Sequence, residues 1–251
     1  MRHISFAVLL LLASPLAGAG PSAPLEPQNV TAARLNAQLA VAYLKENEVA
    51  AAQEKVDKAL TQNPKDPAVQ VSAGLVYERL EQVDKADRFF AEALRLEPRN
   101  PDMVNNYAVF KCRRGHYAEG EKLFLQAAHN PAYATPEVAY SNAGVCARSA
   151  KDLPHAEELF RKALAVRENY PDALLQLADL SLERGAALAA RGLMDRYFAV
   201  SAPSSDSLYL ALRIERKLGD AEAATRYAAQ LLKEFPDSAQ AKQLRNGASG
   251  E

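Results

Sequence analysis

The sequence predicts an all-α protein, built as a right-handed superhelical solenoid of six helix pairs. Three observations support this prediction. Small residues recur with a period of about 34 residues, large apolar residues follow them at helical spacing, and proline follows most of the repeated segments. Hydrophobic residues make up 49% of the 251 residues, so the chain can form a continuous core along such a stack.

The repeat is clearest in the predicted second helix of each unit. A small residue stands at six equivalent positions, which are Ala52, Ala86, Gly120, Ala156, Ala190 and Ala224. Successive positions are one constant period apart, except that the step from Gly120 to Ala156 is slightly longer. Six copies in one register are typical of a stacked repeat, and the alternative is an unrelated helical bundle.

The predicted first helix of each unit has a small residue twelve positions earlier. These residues are Ala40, Gly74, Ala108, Gly144 and Ala178, and Leu212 replaces the small residue in unit six. Small residues allow two helices to approach closely, and Phe90, Phe124 and Phe160 fill the space beside them. A single pair cannot bury its apolar face alone, so we expect neighbouring pairs to stack.

This pattern resembles the tetratricopeptide repeat, which has Gly or Ala, Tyr, Ala, Phe, Ala and Pro at these spacings. The resemblance covers residues 33–245, with units that start near residues 33, 67, 101, 137, 171 and 205. Residues 20–32 are Pro-rich and polar, and we interpret them as a flexible leader. Residues 246–251 are predicted to form a flexible tail.

Residues 1–19 are predicted to be a secretory signal peptide. Arg2 and His3 give a basic start, residues 4–13 form an apolar run, and Ala17-Gly18-Ala19 matches a small-residue cleavage site. The apolar run is too short to cross a bilayer as a helix. The alternative is a buried N-terminal helix. The signal peptide predicts an exported protein. No other apolar stretch of the sequence approaches membrane-spanning length, so we expect no integral membrane segment in the mature chain.

Two strings go beyond the generic repeat. Residues 105–128 read NNYAVFKCRRGHYAEGEKLFLQAA, and residues 130–149 read NPAYATPEVAYSNAGVCARS. With the signal peptide and six repeats, they resemble the type IV pilus biogenesis and stability protein family, PilW/PilF. Its members are usually outer-membrane lipoproteins that face the periplasm. They assist assembly and outer-membrane localisation of the secretin channel through protein–protein contact, without known catalysis.

The resemblance implies a periplasmic scaffold that binds a secretin subunit or another pilus assembly component. The alternative is another exported tetratricopeptide adaptor of cell-envelope complex assembly. One departure from the family concerns the lipid anchor, because Ala19 stands where a lipobox needs cysteine. We therefore expect association with the outer membrane through a partner.

The two cysteines, Cys112 and Cys146, fall near the ends of neighbouring predicted first helices. First helices lie side by side in such a stack, so a separation of about one repeat period places the two thiols at nearly the same height. In an exported chain this favours a disulfide. A redox switch and a pair of unbonded thiols are the alternatives.

The predicted first helices line the concave face of the stack, where a peptide segment of a partner can bind. We call the residues predicted to line it the groove set. They are Val41, Leu44, Lys45, Val71, Leu75, Glu78, Arg79, Asn105, Val109, Arg113 and Asn142. The alternative is that some of them pack against neighbouring repeats. Asn105 and Asn142 are predicted either to grip a peptide backbone or to bridge adjacent helices.

No motif for catalysis, phosphate binding or zinc binding is present in the sequence. We therefore expect no enzyme activity and no cofactor. Four scattered histidines and two cysteines provide few ligands for a metal site, so we expect no metal either. The net charge of −1 argues against nucleic acid as a partner. The mixed charges of units five and six are typical of a solvated face. They include Asp179, Glu183, Arg213, Arg216 and Lys217.

Overall fold

The structure, a computed structural model, describes residues 28–248, which form thirteen α-helices and no β-strand. The helices are α1 (Gln28–Lys45), α2 (Val49–Gln62), α3 (Pro67–Arg79), α4 (Val83–Leu96), α5 (Pro101–Arg113), α6 (Tyr117–Ala128), α7 (Pro136–Ser149), α8 (Leu153–Val166), α9 (Pro171–Glu183), α10 (Ala187–Val200), α11 (Ser205–Leu218), α12 (Ala221–Glu234) and α13 (Ala239–Ala248). Helices α1 to α12 form six pairs, which confirms the predicted all-α solenoid. The predicted signal peptide lies outside the described residues.

Two helices extend beyond the bounds predicted for the repeat domain, residues 33–245. Helix α1 begins at Gln28, inside the predicted flexible leader, because Pro27 is the last residue before it that breaks a helix. Helix α13 follows the six pairs, was not predicted, and reaches into the predicted tail. It forms because the chain after Ser238 contains no proline and buries Ala241 and Leu244 against neighbouring apolar residues.

The described helices fall into two compact units, each of which contains three of the repeated helix pairs. We call α1 to α6 the first unit and α7 to α13 the second unit, and from here on 'unit' has only this meaning. In the first unit, α2 packs on α3, and α4 packs on α5. Val56, Val76 and Phe90 lie in one buried cluster of this unit. In the second unit, Leu174 and Met194 lie in one cluster, and a second cluster includes the sixth pair. Each unit is therefore a stack whose pairs share a core.

The two helices of a pair approach closely where the sequence has its small residues. A Cβ atom added to Gly74 would lie 2.8 Å from the ring of Phe90, and one added to Gly144 would lie 2.6 Å from the ring of Phe160. In the sixth pair the large and the small side chain have changed helices. Leu212 on the first helix replaces the small residue, and Ala228 on the second helix stands where other pairs have a large one. A large side chain thus faces a small one in these pairs, whichever helix supplies it.

The turn inside each pair has a left-handed backbone at one residue. These residues are Asn47, Glu81, Gly115, Lys151, Gly185 and Gly219, with φ between 56° and 85°. They recur with the period of the repeat. The turn geometry therefore belongs to the repeat itself, although half of the turns use a residue that adopts this geometry at a cost.

Tyrosine–carboxylate hydrogen bonds join successive pairs of the first unit. Tyr77 Oη donates to Asp57 Oδ1 at 2.7 Å, from α3 to α2. Tyr107 Oη donates to Asp87 Oδ1 at 2.9 Å, from α5 to α4. Burial raises the pKa of Tyr77 to about 12, with a further contribution from Asp57, and burial raises the pKa of Tyr107 as well. Both phenols therefore stay protonated and act as donors at physiological pH.

We expect Gly74→Ala to destabilise the protein by about 1–2 kcal/mol, because the overpacking at Phe90 outweighs the gain in helix propensity. The measurement is urea unfolding followed by circular dichroism. Gly192→Ala is the control, since an added Cβ there meets nothing within 4 Å, and it should stabilise by roughly 0.5–1 kcal/mol. An equal gain at both positions would contradict the close packing of Gly74 on Phe90.

Candidate functional site

The first helices of the first unit, α1, α3 and α5, lie next to one another and carry every member of the groove set except Asn142. Val71 and Val109 are each only 2% exposed, and Val41 is buried as well. Val71 belongs to the core cluster of the first unit, and Leu44 and Leu75 pack against that cluster while remaining half-buried. The three valines therefore contribute mainly to packing, and the two leucines are the apolar side chains that a partner can reach.

Three cations of the groove set occupy one repeat position, a single period apart, on α1, α3 and α5. Lys45, Arg79 and Arg113 are exposed at the C-terminal ends of these helices. Arg79 donates to Asn47 Oδ1, and Arg113 Nη1 lies 3.5 Å from Glu78 Oε2. The face thus combines half-buried leucines with a row of positive charge.

Glu78 is the buried acidic residue beside this row. Its carboxylate lies 3.5 Å from the Arg113 guanidinium and 3.7 Å from that of Arg114, which also donates to Glu81 Oε2 at 2.9 Å. Burial nevertheless raises the pKa of the Glu78 carboxyl, since the two arginines offset only part of the lost hydration. The charged state of Glu78 therefore costs stability.

Asn105 and Asn142 are both almost completely buried, at 2% and 1% exposure, and neither amide is free of interactions. Asn105 lies on α5 in the first unit, and Asn142 lies on α7 in the second. Their burial favours a structural role over direct contact with a partner. A role in gripping a peptide backbone stays a prediction.

The second unit has a charge network that sequence reasoning missed. Arg148 Nη2 donates to Asp179 Oδ2 and Glu183 Oε1, both at 2.7 Å, and Arg213 Nη1 donates to Asp179 Oδ1 at 3.0 Å. The network links α7, α9 and α11, so these charges are paired with one another. The available signal was the opposite charge of residues at neighbouring repeat positions, about one period apart.

Both cysteines are disulfide-bonded, and no described cysteine is free. Over residues 28–248, no group of three or more His, Cys, Asp or Glu side chains is arranged to hold a metal ion. Within the same range, none of the helices combines the length and apolar character that crossing a membrane requires.

The paired helices, their left-handed turns and their small residues define a tetratricopeptide-repeat protein, a class of protein-interaction module. The family profile of the tetratricopeptide repeat matches residues 37–102. The type IV pilus assembly protein PilF of Pseudomonas aeruginosa is 27% identical over 237 residues, covering 92% of this chain and 94% of PilF.

Among solved structures, the fold is similar to that of PilW, described as a widely conserved type IV pilus biogenesis factor. The two are 30% identical, the TM-score is 0.71, and the match covers 84% of this chain and 97% of PilW. The structure of Pseudomonas aeruginosa PilF matches with a TM-score of 0.69 at 24% identity, over 88% of this chain and 100% of PilF. This chain belongs to the PilW/PilF family of tetratricopeptide-repeat proteins.

We expect reduction of the disulfide to lower the free energy of unfolding by about 2–4 kcal/mol, because the bond restricts the unfolded chain. The measurement is urea unfolding with and without reductant. The Cys112→Ser, Cys146→Ser double variant is the control, since reductant should leave its midpoint unchanged. Two free thiols in denatured, unreduced protein from the exporting cell would contradict the bond.

We expect Glu78→Gln to change the pH dependence of stability in a defined direction. The folded protein binds the Glu78 proton more tightly than the unfolded chain does, so wild-type stability falls as pH rises through the range above about 4.3. Glutamine does not titrate, so the variant lacks this loss of stability with rising pH. The stability of the variant relative to wild type should therefore rise with pH, as measured by urea unfolding between pH 4 and pH 7. A relative stability that falls with pH would mean that the arginines dominate.

Proposed function

We propose that the protein is a periplasmic scaffold for type IV pilus biogenesis. Its role is to assist assembly or outer-membrane localisation of the secretin, by binding a segment of a secretin subunit or another pilus assembly component along the groove set. Membership of the PilW/PilF family is the observation that carries this proposal, because both relatives are named for a role in building the type IV pilus.

The chemistry of the first unit supports a peptide as the ligand. Leu44 and Leu75 are half-buried side chains that can accept apolar anchors of a partner. Lys45 and Arg79 are exposed beside them, and neither forms a salt bridge to another described residue. An extended or helical segment with apolar residues and neighbouring acidic residues matches this surface.

The charge distribution favours the first unit over the second as the binding surface. On the first helices of the second unit, two cations and two anions are paired with one another, namely Arg148, Asp179, Glu183 and Arg213. Binding there would have to break paired interactions. Lys45 and Arg79 have no ion pair to break among the described residues, and their row gives a partner segment a direction.

The proposed compartment is the periplasm, with outer-membrane association through a partner. The N-terminal sequence supports export, and the Ala19 position provides no cysteine for lipid attachment. The disulfide is consistent with an oxidising compartment. Mass determination of the mature N-terminus would test cleavage after Ala19 and lipidation together.

We expect the double variant Lys45→Glu, Arg79→Glu to bind the purified secretin subunit at least about tenfold more weakly, because it replaces a row of attraction with repulsion. The measurement is biolayer interferometry with the disulfide-bonded mature protein. Both residues are exposed, so thermal unfolding should change little.

The matched control is Lys58→Glu, Lys122→Glu, which makes the same charge change at exposed positions of α2 and α6. Its secretin affinity should stay within about twofold of wild type if the groove set, and not net charge, determines binding. Equal losses in both variants would remove the groove from the proposal. Absence of secretin binding by wild type, with capture of another envelope complex, would favour the alternative of a different exported adaptor.

A further inference from the structure

Helix α1 carries an exposed apolar stripe. Leu35 is 56% exposed and Leu39 is 38% exposed, and Ala42 on the next turn is also exposed. We call these three residues the α1 stripe. Their spacing of four and three positions places them on one face of the helix. This face lies apart from the buried face of α1, which contains Ala33 and Ala37.

The repeat itself shows what this face does in other pairs. Leu35, Leu39 and Ala42 are equivalent to Val69, Ala73 and Val76 on α3, which are all completely buried. The equivalent residues on α9 (Ala173, Leu177 and Leu180) and on α11 (Ser207, Ala211 and Ile214) are also buried. In those pairs the face packs against the second helix of the preceding pair.

The covering residues of α2 define the complementary surface. Val69 clusters with Ala59 and Leu60, and Ala73 and Val76 cluster with Ala52 and Val56. A covering helix therefore presents small and apolar residues at intervals of three and four. The α1 stripe has the same apolar character, but no described helix precedes α1 and covers it.

The last pair of the second unit, α11 and α12, is covered by an additional helix. Helix α13 packs on α11 and α12, buries Ala241 and Leu244, and exposes Lys242, Gln243 and Arg245. It therefore acts as a polar cap of the kind that ends a repeat array. The α1 stripe has no such cap among residues 28–248.

We propose that the α1 stripe binds an amphipathic α-helix of a partner protein, which packs as the second helix of a preceding pair does. The sequence of residues 20–27 does not favour such a helix, because it contains three prolines. A second copy is disfavoured by area. The exposures of Leu35 and Leu39 add up to roughly one leucine, far less than the ~800 Å² per partner of a stable interface.

The small area has a further consequence for the partner. A single helix on this stripe binds weakly unless the same protein is held elsewhere, which raises its effective concentration. The groove set begins on the same helix, at Val41, Leu44 and Lys45. Exposed Lys45 stands near one end of the stripe, so an acidic residue beside the apolar stripe of the partner helix complements it.

The test uses a synthetic peptide that copies residues 48–63 of this chain, with a hydrocarbon staple on the face away from Val56 and a fluorescent label. Titration of the mature protein should saturate in fluorescence anisotropy, and Leu39→Glu and Leu35→Glu should each weaken the peptide at least fivefold. Leu188→Glu is the control, because Leu188 is 71% exposed on α10 in the second unit. It should leave the affinity unchanged.

Two results would overturn the proposal. One is absence of peptide binding by wild type at millimolar protein, or equal binding by the stripe variants. The other is sedimentation of wild type as a dimer that Leu39→Glu dissociates, which would identify a second copy as the occupant. The circular dichroism melting curve shows whether each variant is folded. Leu39→Ser introduces no charge, and if it is folded it should also lose peptide affinity. Failure of secretin binding would leave this result untouched, because the peptide is independent of the secretin.

Discussion

The close approach of the two helices within a pair is the constraint on which the rest of the structure depends. Gly74 and Gly144 place a helix backbone directly on the rings of Phe90 and Phe160. Because protein interiors are close-packed and leave little room for adjustment, the close approach within a pair also determines how its outer faces meet the next pair. Stacking then positions α1, α3 and α5 side by side in the first unit, where all members of the groove set except Asn142 lie.

The sequence was sufficient to predict the paired helices, because small residues at a fixed period are a consequence of that close approach. Leu212 looked like a departure in the sixth pair, and the structure explains it by the exchange of sizes with Ala228. Helix α13 could not be predicted from the period, since it is a cap and not a copy. The sequence analysis predicted no left-handed turn, and at Glu81 and Lys151 the residue types give no signal because neither favours this conformation.

The candidate site was predicted less completely, for a physical reason. Repeat position determines which way a residue faces, but its depth depends on the sizes of its neighbours. Val71 and Val109 are members of the predicted groove set, yet both are buried. The Arg148 network joins residues in different repeats, and opposite charges about one period apart are a weak signal because most such charges on helices are solvated. Charge at exposed helix ends was more predictable, since long side chains reach solvent from most backbones.

The recurring left-handed turn has a consequence for how this kind of chain can vary. In all six turns the left-handed residue lies two positions before the start of the second helix, whereas the additional residues between the third and fourth pairs fall in the link from α6 to α7. Changes of length are thus confined to the joints between modules. A longer link between two pairs thus leaves the turn inside each pair unchanged, so insertions between pairs are tolerated more easily than insertions within them.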